Sequence, residues 1–298
     1  MIVLISGCTQ SVRKVSYTSD EVTPLDSLSP SDDASSMQNK SVQDLVTAGF
    51  IYLANQNLKI AELHFGAAIK KDPNTVDAYI GLGRTEMLKG NYSGAMVRFA
   101  KARELDPRSI YALTGEAQAL RSEGQLNAAI KKINEAMAIE PGDINVLKEL
   151  AMIYDLMGKE NLSGPLYHEI IAIAPDQAAS HNNMGLNYMV RGDYPEAVLS
   201  FLQAFALDKD NLRIKNNLAS AYLLNGDKEQ ALDIFKATVG EAGAYNNVGY
   251  LLMTQRHFDE AEQAFKKALQ INPSYYVRAQ ENLDKLQGMR NTARASQL

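Results

Sequence analysis

Cys8 is the one cysteine of the chain, and it follows the small pair Ser6-Gly7 at the end of the apolar run Met1-Ile2-Val3-Leu4-Ile5. A single thiol excludes an intramolecular disulfide and a thiolate metal cluster. The four histidines, His64, His168, His181 and His257, sit at unrelated repeat positions without an i, i+4 partner and read as surface or helix-packing residues. The carboxylates are scattered, and no pair stands out for acid–base work. No strand pattern precedes a glycine-rich loop, so no phosphate cradle is expected. Neither catalysis, a metal nor a cofactor is expected.

A short apolar run ending in small residues reads as the tail of a secretory signal. Ile5-Ser6-Gly7-Cys8 resembles the lipobox of bacterial lipoproteins, which implies cleavage before Cys8 and acylation of its thiol. Only five residues precede Ser6 and none is basic, so the sequence is expected to begin inside a longer leader. Thr9 stands where an Asp would imply retention at the inner membrane, and by the same resemblance it implies the outer membrane. The other reading leaves Cys8 an incidental thiol at a frayed end.

Residues 9–41 are rich in Ser, Thr and Asp, as in Ser27-Leu28-Ser29-Pro30-Ser31-Asp32-Asp33. Such a segment buries too little apolar area to offset its ordering entropy, and it reads as a flexible tether. At 5–6 Å × √n, it would hold the folded part about 30 Å from an anchor. The whole chain has 46% hydrophobic and 22% charged residues, as a folded chain should. A formal net charge of -5 works against a nucleic-acid partner. No stretch approaches the roughly 18–20 apolar residues that would span a bilayer.

The elements that position everything else repeat. Pro73, Pro107, Pro141 and Pro175 stand 34 residues apart, and Gly90, Gly124, Gly158, Gly192 and Gly226 keep the same step. So do Ala61, Ala95, Ala129, Ser163, Ala197 and Ala231, each followed four residues on by Phe65, Phe99, Ile133, Tyr167, Phe201 or Phe235. The glycine suits a left-handed residue after a helix. The alanine lets two antiparallel helices approach, and the bulky residue fills the next hole on the same face. The proline separates units, since it is excluded from helix interiors. This periodicity resembles the tetratricopeptide repeat, which implies an all-α superhelical solenoid of helix pairs. The units are 42–75, 76–109, 110–143, 144–177, 178–211, 212–241 and 242–275, with a capping helix and tail at 276–298. The sixth unit is four residues short, so the joint at 236–245 is a candidate hinge or binding notch.

Tetratricopeptide geometry implies that the second, fifth, ninth and twelfth residues of each unit line a concave partner-binding face. Units two and three supply Asp77, Arg84, Tyr111, Gln118 and Arg121, a polar stretch of mixed charge. Units four to seven supply the apolar Met152, Leu186, Met189, Leu223, Tyr250 and Met253, with Asn182, Asn216 and Asn246 beside them. Such residues either pack on neighbouring helices or form a groove for an amphipathic helix or an extended peptide.

Lipobox, tether and array together resemble the tetratricopeptide lipoproteins of the Flp (Tad) pilus assembly system, the TadD-like group. The discriminating stretch is Ala244-Tyr245-Asn246-Asn247-Val248-Gly249-Tyr250-Leu251-Leu252, continuing to Ile271-Asn272-Pro273-Ser274-Tyr275-Tyr276. The resemblance implies a non-catalytic, pilotin-type lipoprotein on the periplasmic face of the outer membrane, with a secretin subunit as its client. Two alternatives stay open: an un-anchored scaffold or co-chaperone, and a pilotin of another type IV pilus or secretion system.

Overall fold

The structure, a computed structural model, describes Met37, residues 39–273 and residues 276–295. Cys8, the lipobox and the tether up to Ser36 lie outside the described residues, as do Ser274, Tyr275 and the final 296–298. Among the described residues there are helices and no strand. The chain divides into two compact bodies, with the boundary between Met157 and Gly158.

The first body holds α1 (Val42–Ala54), α2 (Leu58–Lys71), α3 (Val76–Lys89), α4 (Tyr92–Leu105), α5 (Ile110–Ser122), α6 (Leu126–Ile139) and α7 (Ile144–Leu156). The second holds α8 (Glu160–Ile173), α9 (Ala178–Arg191), α10 (Tyr194–Leu207), α11 (Leu212–Asn225), α12 (Lys228–Thr254), α13 (Phe258–Ile271) and α14 (Tyr276–Ala295). The odd-numbered helices from α1 to α11 are the first helices of the repeats, opening at residues 42, 76, 110, 144, 178 and 212.

Local chemistry sets these ends. Before α1, the Asp44 N–H donates to Ser41 Oγ at 3.1 Å and the Ser41 N–H donates to Asp44 Oδ2 at 3.2 Å, a reciprocal cap. Those bonds from Ser41 hold the Asp44 carboxyl below its ordinary range. Asn91, Ser109 and Asp143 cap their helices in the same way, each accepting from the backbone three residues on. In the turn at 72–75 the Asp72 side chain accepts from the Asn74 N–H at 2.9 Å, and Asp106 repeats the bond with Arg108 at 3.0 Å.

Within pairs, the small residues do what their spacing predicts. Ala61, Ala95, Ala129, Ala197 and Ala231 are fully buried, and Phe65, Phe99, Phe201 and Phe235 are buried beside them. The Phe65 ring lies between α1 and α3 so closely that a Cβ at Gly49 would fall 2.5 Å from it and one at Gly81 2.3 Å. Each such ring is worth about 1.5–3 kcal/mol of burial. The first body also begins ahead of residue 42, since Met37 is buried in the cluster with Leu45, Phe65 and Ala68.

The short sixth unit is resolved at Gly240. Its φ of 76° and ψ of 169° let α12 turn a corner without an intervening loop, where the other joints use four residues such as 208–211. Ala219, Leu223, Ala231, Phe235, Ala244 and Leu251 share one cluster across that corner. The joint is therefore a packed corner at Gly240 and not a loop. At the far end α14 closes the stack. Leu286 packs with Leu252, Met253 and Phe265, and Arg290 reaches Glu262 at 2.7 Å.

Candidate functional site

On the first body the expected polar residues separate into two groups. Asp77, Arg84 and Tyr111 are exposed. The Arg84 guanidinium lies 5.7 Å from the Phe50 ring centroid and 5.9 Å from that of Tyr111, so three successive first helices meet in one aromatic–cation stack. Tyr111 keeps 57% of its surface exposed. Phe50 was not among the expected residues, yet it stands 34 before Arg84 at the same repeat position, a signal the sequence carried.

Arg121 has a different task. Its Nε donates to Glu149 Oε1 at 2.5 Å and its Nη2 to Oε2 at 3.4 Å. Glu149 is buried, and this burial raises its carboxyl above the ordinary range, with Arg121 pulling the other way. Arg121 thus joins α5 to α7, its side chain only 14% exposed. Nearby, buried Glu116 accepts from Arg103 Nε at 2.8 Å and lies 3.3 Å from Lys132 Nζ. Gln118 and Met152 are half-buried on α5 and α7.

On the second body the expected apolar run is interrupted. Leu223 (4% exposed) and Met253 (3%) are core residues, and Asn246 (6%) is buried too. The physical reason is specific: the corner at Gly240 folds α12 over Leu223, and α14 covers Met253 with Leu286 and Asn246 with Asn282. The asparagines hold helices together. Asn217 Nδ2 donates to Asn182 Oδ1 at 2.9 Å, Asn282 Nδ2 donates to Asn246 Oδ1 at 3.0 Å, and the Thr238 hydroxyl donates to Asn216 Oδ1 at 3.0 Å. Leu186 remains exposed at 40%, with half-buried Met189 and Tyr250. Val190, 54% exposed and next to Met189, extends this surface and was not expected from the sequence.

On the second body α9 offers a polypeptide apolar contact, and on the first body, taken by itself, α3 and α5 offer charge and aromatic contact. Among the described residues no group of three His, Cys, Asp or Glu side chains could hold a metal ion. Nor, among them, is any helix long and apolar enough to cross a membrane.

A sequence profile of the tetratricopeptide repeat matches residues 242–275, and a second profile of that repeat matches 47–110 and 182–247. A comparison with curated proteins returned no match. Among solved structures, the chain is similar to a tetratricopeptide repeat protein from Parabacteroides merdae ATCC 43184, at 18% identity and a TM-score of 0.57, covering 83% of this chain and 98% of that one. It is also similar to the pilF protein of Pseudomonas aeruginosa, at 17% identity and a TM-score of 0.58 over 66% of this chain and 89% of that one. A thermophilic repeat protein of Thermus thermophilus is similar at 20% identity and a TM-score of 0.56, over 61% of this chain and all of the other (100%). At these identities the likeness establishes the fold.

Proposed function

We propose that this chain, which belongs to the tetratricopeptide repeat family, is a lipid-anchored, non-catalytic binding protein that assists assembly of a Tad/Flp pilus. Its client in this reading is a secretin subunit, and its place is the periplasmic face of the outer membrane. Proteins of this repeat family are generally scaffolds suited to protein–protein interaction, and no enzymatic family is indicated.

The observation that carries the reading is the surface of α9, where Leu186 and Val190 stand 40% and 54% exposed beside half-buried Met189. An amphipathic helix or extended segment of a client gains apolar burial there, and a methionine adapts to its shape. The likeness in fold to the pilF protein is in keeping with a pilus-related client. The anchor rests on Ile5-Ser6-Gly7-Cys8 and the outer-membrane address on Thr9.

Membrane fractionation of Cys8→Ser tests the anchor. The variant should leave the membrane pellet while its array still binds the client. Retention in the pellet contradicts the anchor. Radiolabelled palmitate incorporated at Cys8 supports it, and failure to label the natural protein favours an un-anchored scaffold.

A further inference from the structure

Helix α8 departs from the repeat at three adjacent residues. Ser163 replaces the alanine found at Ala61, Ala95, Ala129, Ala197, Ala231 and Ala261. Gly164 stands where the other units carry side chains such as Met96, Ile130 and Val198, and Pro165 follows it. Pro165 has no N–H, so it cannot supply the helical bond to the Asn161 carbonyl. In α9, packed against α8, a fourth departure occurs: Asn187 is the one amide at a position held elsewhere by Ile51, Thr85, Ala119, Ile153, Ala221 and Leu251.

These departures meet. Asn187 is 2% exposed, and its Nδ2 donates to Ser163 Oγ at 2.7 Å and to the Glu160 carbonyl at 3.1 Å. A backbone carbonyl only accepts, so the amide's orientation is fixed and Oδ1 must point the other way. There Oδ1 has no hydrogen-bond partner. A Cβ on Gly164 would lie 3.3 Å from it, so the glycine keeps open the space in front of an unmet acceptor. Leaving such an acceptor unpaired is unfavourable, and a bound donor would satisfy it.

Gly164 lines a cleft of about 540 Å³ between α8 and α9, with Glu160, Pro165 and His168 on one side and Met184 and Arg191 on the other. Glu160 has no ion-pair partner among the described residues. Arg191, by contrast, is satisfied. Its Nη2 lies 2.8 Å from Asp193 Oδ2, and its guanidinium lies 5.5 Å from the Tyr188 ring centroid. Arg191 Nη1 is 3.8 Å from the point a Gly164 Cβ would occupy, and its side chain is 45% exposed, so a flexible group stands beside the space that the glycine leaves open. The cleft itself supplies the Glu160 carboxylate and apolar walls at Pro165 and Met184, and the Asn187 acceptor lies behind Gly164, to be reached past the glycine once Arg191 swings aside.

We propose that this cleft is a subsite for a lysine side chain of a partner polypeptide. The ammonium donates to Asn187 Oδ1 and faces the Glu160 carboxylate, and its methylene stem lies along Pro165 and Met184. The subsite is separate from the exposed face of α9 and would add charge selectivity to a client held there.

Nα-acetyl-lysine methylamide, titrated to millimolar concentration into the full chain, tests this by NMR, with the norleucine analogue as control. The lysine probe should move the Asn187 side-chain amide and the Gly164 backbone amide saturably, and norleucine should not. Gly164→Ala should weaken binding at least tenfold, and Arg191→Ala should leave it intact or tighten it. Should Gly164→Ala misfold, Glu160→Gln, on the rim, should weaken binding several-fold with an unchanged amide spectrum. No saturable shift, equal shifts from norleucine, or full binding by Gly164→Ala or by a folded Glu160→Gln would overturn the proposal; in the first case the cleft is only hydrated.

Discussion

The guanidinium of Arg121 and the carboxylate of Glu149 join α5 to α7 through contacts of 2.5 and 3.4 Å, with Glu149 left 3% exposed. A buried charge held by one partner makes that partner costly to remove. Arg121→Ala is expected to destabilise the first body by about 3–5 kcal/mol at neutral pH. Hydrogen exchange of the α5 and α7 amides in the full chain reads this out, and a loss below about 1 kcal/mol would mean the pair is not the staple described.

The same pair sets a pH dependence. Burial raises the folded-state Glu149 carboxyl above its unfolded value, so protonation favours the fold. Its contribution is fully present below the unfolded value and is lost as pH rises through the raised one. The stability of the natural chain relative to Glu149→Gln should therefore fall as pH rises above the ordinary carboxyl range. A difference that grows with pH would show that Arg121, and not burial, dominates.

Two non-glycine residues adopt the left-handed conformation at the turns where other units have glycine: Gln56 at φ 61° and Arg256 at φ 65°. Arg256→Gly should stabilise the second body by about 1 kcal/mol, since a Cβ in that region carries roughly that penalty. Thermal unfolding of the full chain should show a small upward shift, and a downward one would point to a packing role for the Arg256 side chain.

Gly240 presents the opposite case. Its φ of 76° with ψ of 169° falls in a region open essentially to glycine, and a Cβ there would meet nothing within 4 Å. Gly240→Ala should cost about 1–3 kcal/mol through the backbone alone. Faster amide exchange confined to the residues beside 240 is the expected signature. Unchanged exchange would mean that the corner relaxes freely.

The repeat was legible because its markers are steric. Alanine, aromatic and glycine positions at a fixed step admit few other packings, and they place the helix starts. Side chains on the first-helix face were less legible. Leu223 and Met253 have the same character as Leu186, and what buries them is a corner and a cap specific to the C-terminal units. The division at Gly158 has no sequence mark either, because that glycine is one of five at the same repeat position. Asn187 and Gly164 could be found only by asking where a unit departs from the others, and their meeting in space needed coordinates.

The central claim is that the α9 surface holds a secretin subunit of a pilus machine. A photo-crosslinking residue placed at Leu186 in the full chain, in cells that express the pilus system, addresses it most directly. A cross-link to the secretin subunit, identified by mass spectrometry, is the expected result, and a residue placed at buried Phe201 should not give it. Cross-links to cytosolic proteins alone, or none at Leu186 while the pilus assembles, would contradict it.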